Sequence, residues 1–318
     1  MKNLLNIFIC FTMVPLLSLA DEIQVKKETI SFWSDGSRLQ GDVFKPINLN
    51  PEDKLPGILL ITGWGGNRAN LNKSFAPQFA ASGFVVMTFD FRGWGDSEGF
   101  FLSNKSIPLS AEDEEILIAG KQIRSIINPD KMILDARAAL SRLTGESNVQ
   151  PNNIGVWGTS FGGSIALVIT AQDKRVKALI SQMGTVNNKA NFKMIPDSLV
   201  PIWESQRSKG EISSYPGPES SLPGLTGYPD LIAIKKYDPA SYWHLIKIPT
   251  LIIDAKDEEL FDRSLNGEKF YNFLEGRVTT EYIPIPGTHY DMYKGNGYEL
   301  ALASAQKWFL NHLKMPNN

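Results

Sequence analysis

Apolar and polar positions along this chain follow the two patterns that distinguish buried strands from amphipathic helices. Five short runs are almost uniformly apolar, as expected for strands buried on both faces of a parallel sheet, and they are residues 57–62, 84–89, 154–157, 178–181 and 250–253. Amphipathic stretches separate these runs. The pattern predicts an α/β fold with a mostly parallel central sheet of about eight strands, flanked by helices.

The two ends of the pattern predict the edges of the sheet. Residues 23–33 and 38–44 alternate polar and apolar positions and are joined at Asp35-Gly36, which predicts an antiparallel hairpin. A last strand is expected at 279–285, followed by a C-terminal helix from Tyr298. Residues 21–318 are therefore expected to form one domain.

Two stretches interrupt the alternation of strands and helices. In residues 100–128, Ser110 followed by Asp113 predicts the capped start of a helix, and nearby acidic side chains suit its dipole better than a cation site. Residues 183–242, between the sixth and seventh predicted strands, are rich in Gly, Pro, Ser and aromatic residues. An insertion there would form a cap over the carboxyl ends of the strands, where ligands bind in open α/β sheets.

Residues 1–20 have the pattern of a secretory signal peptide. Lys2 gives a positive start, residues 4–17 are largely apolar, and Ser18-Leu19-Ala20 offers small residues at which signal peptidase cuts. The apolar run is shorter than the roughly 20 residues of a membrane span. We therefore expect export to the periplasm or the medium, with no stable membrane span after cleavage.

Composition and charge exclude several kinds of partner and of reactive group. The 318 residues are 42% hydrophobic and 21% charged, and the net charge of −2 comes with no basic tract, so nucleic acid is not an expected partner. The single cysteine, Cys10, lies in the expected signal peptide. Its removal would exclude disulfides, thiolate metal sites and a cysteine nucleophile from the mature chain, and no metal site is expected.

The motif Gly-x-Ser-x-Gly, which is typical of nucleophilic serines, occurs twice. One copy, residues 158–162, directly follows a predicted buried strand and runs into small and apolar residues typical of a helix start. A strand, a sharp turn and a helix in succession form a nucleophile elbow, so Ser160 is the expected nucleophile. The amino terminus of the helix would favour a developing oxyanion.

The second copy, residues 95–99, has a different context. Four residues separate it from its strand, and carboxylates flank its serine, Ser97. The charges of Asp96 and Glu98 would oppose the anionic transition state of acyl transfer. We therefore interpret Ser97 as structural, in a loop held by hydrogen bonds of Arg92 and Asp96.

A serine nucleophile needs a base, and histidine is suited to this role near neutral pH. Three histidines are present. His289 lies in a loop between the last predicted strand and the C-terminal helix, and functional residues are common in such loops. His289 is therefore the expected base, whereas His244 and His312 are expected to be structural.

The acid that orients the base should follow a neighbouring strand. Residues 254–260 contain four carboxylates. Asp257 lies on the expected turn and is our predicted acid, with Asp254 at the end of the strand as the reserve. Glu258 and Glu259 are expected to begin the next helix, because the first turn of a helix favours acidic side chains.

Two backbone N–H groups are candidates for the oxyanion hole. The N–H of Phe161 directly follows the nucleophile, and that of Trp64 lies in the Gly-rich loop 63–67 after a predicted buried strand. A Gly-rich loop there is also what a tight strand-to-helix turn requires, and the two roles are compatible.

These motifs together resemble the α/β-hydrolase superfamily, in which serine, acid and histidine follow in the chain order expected here. Loops 63–66 and 90–99 and the elbow 158–163 are similar to those of the branch that holds dienelactone hydrolase-like proteins, bacterial acyl esterases and Xaa-Pro dipeptidyl peptidase-like enzymes. The resemblance implies a cofactor-free serine hydrolase that works through an acyl-enzyme.

The expected reaction is the hydrolysis of a small carboxylic ester. An alternative, an Xaa-Pro-type peptidase or an amidase, would need a group that holds the substrate amine, and Glu204, Glu211 and Glu219 in the expected cap are available. A non-catalytic binding protein on the same fold is the less favoured alternative, because all three members of a triad are present.

Overall fold

The structure is a computed structural model that describes residues 24–103, 106 and 117–316. The expected signal peptide and the helix expected to begin at Ser110 lie outside these residues. The strands, in chain order, are β1 (Val25–Ser34), β2 (Ser37–Pro46), β3 (Leu55–Ile61), β4 (Val85–Phe89), β5 (Phe100–Ser103), β6 (Gly120–Ile123), β7 (Ile126–Ile127), β8 (Val149–Thr159), β9 (Val176–Gln182), β10 (Tyr228–Pro229), β11 (Thr250–Ala255) and β12 (Thr280–Ile285).

Helices connect most of these strands. The α-helices are α1 (Arg68–Asn72), α2 (Phe75–Ala81), α3 (Pro129–Thr144), α4 (Phe161–Gln172), α5 (Asn188–Asn191), α6 (Leu199–Ser208), α7 (Leu231–Lys236), α8 (Gly267–Leu274) and α9 (Gly295–His312). Shorter 3₁₀ helices span Pro218–Ser220, Pro239–Leu245, Arg263–Leu265 and His289–Tyr293. Within the described residues, no helix combines the length and the apolar character needed to cross a membrane.

Eight strands form the central sheet in the order β1-β2-β4-β3-β8-β9-β11-β12. The hairpin β1–β2 is antiparallel, β2 pairs antiparallel with β4, and every later pair is parallel. This confirms the predicted mostly parallel sheet with an antiparallel hairpin at one edge. Six strands of the central sheet are parallel to one another, and they are β4, β3, β8, β9, β11 and β12. Their carboxyl ends therefore lie at the same edge of the sheet.

Both faces of the sheet are covered by helices. Helices α3, α4 and α8 pack on one face through apolar side chains that include Ala136, Ile165 and Phe270. Helices α2 and α9 pack on the other through residues that include Phe79 and Phe309. The central strands β4 and β11 are buried at every position, which explains why they are apolar on both sides rather than alternating.

The two interrupting stretches contact each other above the sheet edge. Strand β5 pairs antiparallel with β6, and β7 pairs parallel with β10, which places Ile126 opposite Tyr228. The insertion between β9 and β11, the sixth and seventh strands of the sheet, is thereby joined to the segment that follows β4. The predicted position of the insertion is confirmed.

Candidate active site

Ser160 lies at the sharp turn between β8 and α4. Its backbone dihedral angles are φ 54° and ψ −127°, a region that residues other than glycine rarely adopt and that is found at functional sites. The Ser160 N–H donates to the carbonyl of Gln182 at 2.9 Å, and the N–H of Thr185 donates to the Ser160 carbonyl at 3.3 Å. The end of β9 therefore holds the turn in this strained conformation.

The glycines of the motif 158–162 are required by close backbone contacts. A Cβ atom at Gly158 would collide with the carbonyl oxygen of Gly162, and one at Gly162 would collide with the carbonyl oxygen of Thr62. Since both obstacles are backbone atoms, no side-chain rotation could relieve them. The motif is thus explained by packing of the elbow on the end of β3.

The Gly-rich loop after β3 lies against the nucleophile. A Cβ atom at Gly63 would come within 2.8 Å of Ser160 Cβ. The hydrogen bonds of the described residues include none donated by the backbone N–H of Trp64 or of Phe161. Because Phe161 directly follows Ser160 and Trp64 directly follows Gly63, both N–H groups remain candidate donors to an oxyanion.

The Trp64 side chain joins this loop to the insertion. Its indole ring contacts Phe161 edge-on, with ring centroids 5.4 Å apart, and stacks with Phe192 at 6.5 Å. Its Nε1–H donates to the carbonyl oxygen of Thr226 at 2.9 Å. Residues of the elbow, of the Gly-rich loop and of the insertion therefore form one aromatic wall.

His289 follows β12 and is almost fully buried, at 2% exposed. Its Nδ1 lies 2.8 Å from Oε2 and 3.0 Å from Oε1 of Glu258, whose side chain is 1% exposed. An ionised carboxylate can only accept a hydrogen bond, so Nδ1 carries the proton and donates it. The neutral imidazole then presents Nε2 as a proton acceptor, which is the tautomer that a general base requires.

The segment around His289 is fixed by two further carboxylates. The His289 N–H donates to Glu259 at 2.7 Å. The N–H and the hydroxyl of Thr288 both donate to Asp291, at 2.9 and 2.8 Å, and the backbone hydrogen bond is the main reason that the pKa of Asp291 is lowered. The ring of His289 also contacts the rings of Phe261, Tyr290 and Tyr293.

The structure places Glu258, and not the predicted Asp257, against the imidazole of His289. The backbone N–H of Asp257 donates to Gly287, which continues the pairing of β11 with the segment after β12, and its side chain is exposed. Asp254, the alternative candidate for the acid, is 1% exposed, and its carboxylate lies against Gly267 of α8. Neither contacts His289 among the described hydrogen bonds, and Glu258 does.

Ser160 and His289 follow β8 and β12 at the same sheet edge. Among the described residues, Ser160 Oγ makes no hydrogen bond with His289, a contact that commonly tightens only when substrate is bound. Thr159, directly before the nucleophile, shares a 2.6 Å hydrogen bond with the hydroxyl of Tyr293. The two segments that carry Ser160 and His289 are therefore in contact.

Ser97 is structural, as its sequence context indicated. Its hydroxyl is buried, donates to the carbonyl oxygen of Asp90 at 2.7 Å and accepts from the N–H of Gln40 at 2.9 Å. In the same loop, Arg92 binds Asp135 through its guanidinium and its backbone N–H. These bonds tie the loop after β4 to β2 and to α3.

A cleft of about 690 Å³ lies between the β1–β2 turn, the loop after β4 and the insertion. It is lined by none of the residues proposed for catalysis. Each positively charged side chain that lines the cleft forms an ion pair with a carboxylate. The pairs are Arg92 with Asp135, Lys131 with Asp35 and Arg207 with Asp230. Within the described part of the chain, no cluster of His, Cys, Asp and Glu side chains is arranged to hold a metal ion.

Comparison with known proteins places this chain in a family. The family model of X-Pro dipeptidyl-peptidase (S15 family) matches residues 35–207, more than half of the chain, and this stretch includes Ser160. An uncharacterized 31.7 kDa protein in the traX-finO intergenic region of Escherichia coli is 25% identical over 291 residues, which cover 82% of this chain and 92% of that protein.

Solved structures share the fold. The α/β hydrolase GrgF from Penicillium sp. sh18 superposes with a TM-score of 0.68 at 16% identity, over 91% of this chain and 99% of GrgF. The Pyrococcus furiosus esterase Pf2001 superposes with a TM-score of 0.60 at 14% identity, over 91% of each chain. These findings confirm the resemblance to the α/β-hydrolase superfamily. The chain belongs to the X-Pro dipeptidyl-peptidase (S15) family and has the α/β-hydrolase fold.

Proposed function

We propose that this chain is a serine hydrolase that cleaves small carboxylic esters through an acyl-enzyme. Ser160 attacks the ester carbonyl while His289 Nε2 takes the hydroxyl proton and passes it to the leaving alcohol. Water then attacks the acyl-enzyme by the same route and releases the acid. Glu258 orients the imidazole and stabilises its cation, and the N–H groups of Phe161 and Trp64 bind the oxyanion.

The buried pair of Glu258 and His289 is the observation that carries this proposal. A carboxylate and an imidazole 2.8 Å apart, both almost fully removed from water, stabilise an imidazolium that forms during proton transfer. The strained Ser160 at the neighbouring elbow supplies the nucleophile. No part of this arrangement needs a cofactor.

Preference for an ester over a peptide is supported by the surroundings of the site. The rings of Phe261, Tyr290 and Tyr293 contact His289, and the carboxylates of Glu258 and Glu259 both accept hydrogen bonds from His289. The carboxylates considered for an amine-binding role bind elsewhere, since Glu204 pairs with Lys236, Glu211 with Lys209, and Glu219 accepts from the N–H of Gly217.

A peptidase acting on Xaa-Pro substrates is the second candidate, and the family match favours it. Turnover of short p-nitrophenyl esters should be compared with that of Xaa-Pro p-nitroanilides and simple amides, with wild type and Ser160→Ala side by side. We expect ester turnover to exceed amide turnover by orders of magnitude. A higher kcat/KM for an Xaa-Pro substrate would instead assign the peptidase activity.

The role of Ser160 is tested by labelling with a fluorophosphonate probe. Wild type is expected to be labelled, and Ser160→Ala to lose both labelling and several orders of magnitude in kcat. Ser97→Ala is the matched control, because Ser97 occupies the serine position of the second copy of the motif but forms structural hydrogen bonds. Near-normal ester turnover in Ser160→Ala would contradict the assignment. Failure of wild type in both assays would instead favour a non-catalytic binding protein.

We also propose that the chain is exported, with cleavage after Ala20. This rests on the positive start, the apolar run and the small residues at the cleavage site. Fractionation of expressing cells, followed by N-terminal sequencing of the exported protein, tests it. Recovery of the intact amino terminus in the cytoplasm would contradict the proposal.

A further inference from the structure

The nucleophile elbow and the histidine segment come from different parts of the chain, and their separation decides whether proton transfer can occur. Ser160 follows β8, whereas His289 follows β12, and β9 and β11 lie between these strands in the sheet. A general base must reach the nucleophile within hydrogen-bonding distance. A contact that joins the two segments directly would therefore bear on catalysis.

The structure contains such a contact between Thr159 and Tyr293. The two hydroxyl groups are 2.6 Å apart, a short hydrogen bond across 134 positions of sequence. Thr159 directly precedes the nucleophile and is 3% exposed. Tyr293 ends the 3₁₀ helix that begins with His289. Among the described side-chain hydrogen bonds, no other joins residues 158–163 to residues 286–294.

The ring of Tyr293 also contacts the base itself. The ring centroids of Tyr293 and His289 are 6.1 Å apart, at an interplanar angle of 54°. Burial raises the pKa of Tyr293, so its hydroxyl stays protonated throughout the neutral range and remains able to donate. The side chain thus touches the imidazole with its ring and the elbow with its hydroxyl.

We infer that the hydrogen bond between Tyr293 and Thr159 sets the distance between Ser160 and His289, which makes Tyr293 a positioning residue for proton transfer. The inference rests on the proposed function. Glu258 contacts the imidazole but has no described bond to the elbow, whereas Tyr293 contacts both. Small displacements of reacting groups have large effects on rate.

The test is Tyr293→Phe, which removes one hydroxyl and keeps the ring. We expect kcat for a p-nitrophenyl ester to fall about tenfold while KM changes by less than about twofold, because the substrate does not touch this bond. The rate of fluorophosphonate labelling should fall by a similar factor. Tyr298→Phe is the control, since no hydrogen bond of the Tyr298 hydroxyl is among those described, and it should behave as wild type.

Variants at Thr159 test the same bond from its other side. Thr159→Val removes the hydroxyl with little change of shape, and Thr159→Ser keeps it. We expect valine to reproduce the tenfold loss and serine to restore most of the rate. The double variant Tyr293→Phe, Thr159→Val should be no slower than either single variant, because both remove one bond.

The outcomes separate this inference from the proposed function. Wild-type rates of turnover and labelling in Tyr293→Phe and in Thr159→Val, or additive losses in the double variant, would overturn the role of the bond and leave the function standing. A lower melting temperature with unchanged kcat would show a purely structural role and would also overturn it. Wild type that is neither labelled nor active would contradict the proposed function itself.

Discussion

Nδ1 of His289 lies 2.8 Å from Oε2 of Glu258, although the residue beside it, Asp257, is also a carboxylate. The side chains of these two neighbouring residues point in different directions. The backbone N–H of Asp257 still pairs with the segment after β12, and its side chain points to solvent, so the next side chain along turns inward towards the imidazole. The identity of the orienting acid therefore depends on where strand pairing ends.

This relationship predicts opposite outcomes for two similar substitutions. Glu258→Gln should lower kcat by a factor on the order of 10⁴, because an amide cannot stabilise the imidazolium or enforce the Nδ1–H tautomer. Asp257→Asn should change kcat by less than about twofold, because it alters an exposed group. Steady-state kinetics with one p-nitrophenyl ester measures both. A large loss in Asp257→Asn with an active Glu258→Gln would reverse the assignment.

The close contacts of the elbow predict a loss of stability in Gly162→Ala. The added methyl group would collide with the carbonyl oxygens of Thr62 and Ile61, so unfolding free energy should fall by at least about 2 kcal/mol. Gly145→Ala is the control, since its Cβ would meet only ordinary contacts from 3.5 Å outwards and its φ is −84°. It should change stability by less than about 0.5 kcal/mol. Urea unfolding of the two variants measures the difference.

Ser97→Ala should separate stability from catalysis. Its hydroxyl binds the Gln40 N–H and the Asp90 carbonyl in a buried position, so its removal should cost about 1–3 kcal/mol in unfolding free energy. Fluorophosphonate labelling of the folded variant should match that of wild type. Loss of labelling without loss of stability would indicate that this copy of the motif takes part in the chemistry.

Burial raises the pKa of Asp254 to about 7, well above the value of 3.8 expected for an exposed aspartate. The folded protein therefore binds a proton that the unfolded chain has already released, and this group makes the protein less stable as pH rises from about 4 to 7. Between pH 5 and pH 8 its contribution should weaken stability by about 2–3 kcal/mol.

Asp254→Asn removes this titration. Urea unfolding at pH 5 and pH 8 should show a smaller decrease in stability for the asparagine variant than for wild type, by the same 2–3 kcal/mol. Asp257→Asn, which alters an exposed carboxylate, should keep the wild-type dependence. Equal pH dependence of wild type and Asp254→Asn would show that the buried carboxyl does not titrate in this range.

Local patterns were sufficient to predict the sheet. Runs such as 84–89 and 250–253 are apolar because both of their faces are buried, and this information lies in consecutive residues. Strand ends were harder to predict, because β8 begins at Val149, with Gln150-Pro151-Asn152-Asn153 inside it, and β11 continues to Ala255. These extensions depend on pairing with neighbouring strands, which composition does not encode.

Part of the candidate site is also visible in the sequence. Ser160 and His289 are distinguished by features that the chain displays locally, namely a strand-turn-helix succession and a loop after the last strand. The choice among the carboxylates of residues 254–260 depended on the direction of single side chains in a turn. In the sequence, Glu258 also fits an acidic residue in the first turn of a helix. No local signal shows that its side chain instead contacts His289.

The segment between β9 and β11 leaves and rejoins the sheet at adjacent strands, whose residues Leu179 and Thr250 are direct partners. Its two ends are therefore held in place by the sheet. Replacement of the whole segment by that of a relative should transplant substrate preference while the acid, base and nucleophile stay where they are. In such a fold, substrate specificity can change through the exchange of this one segment.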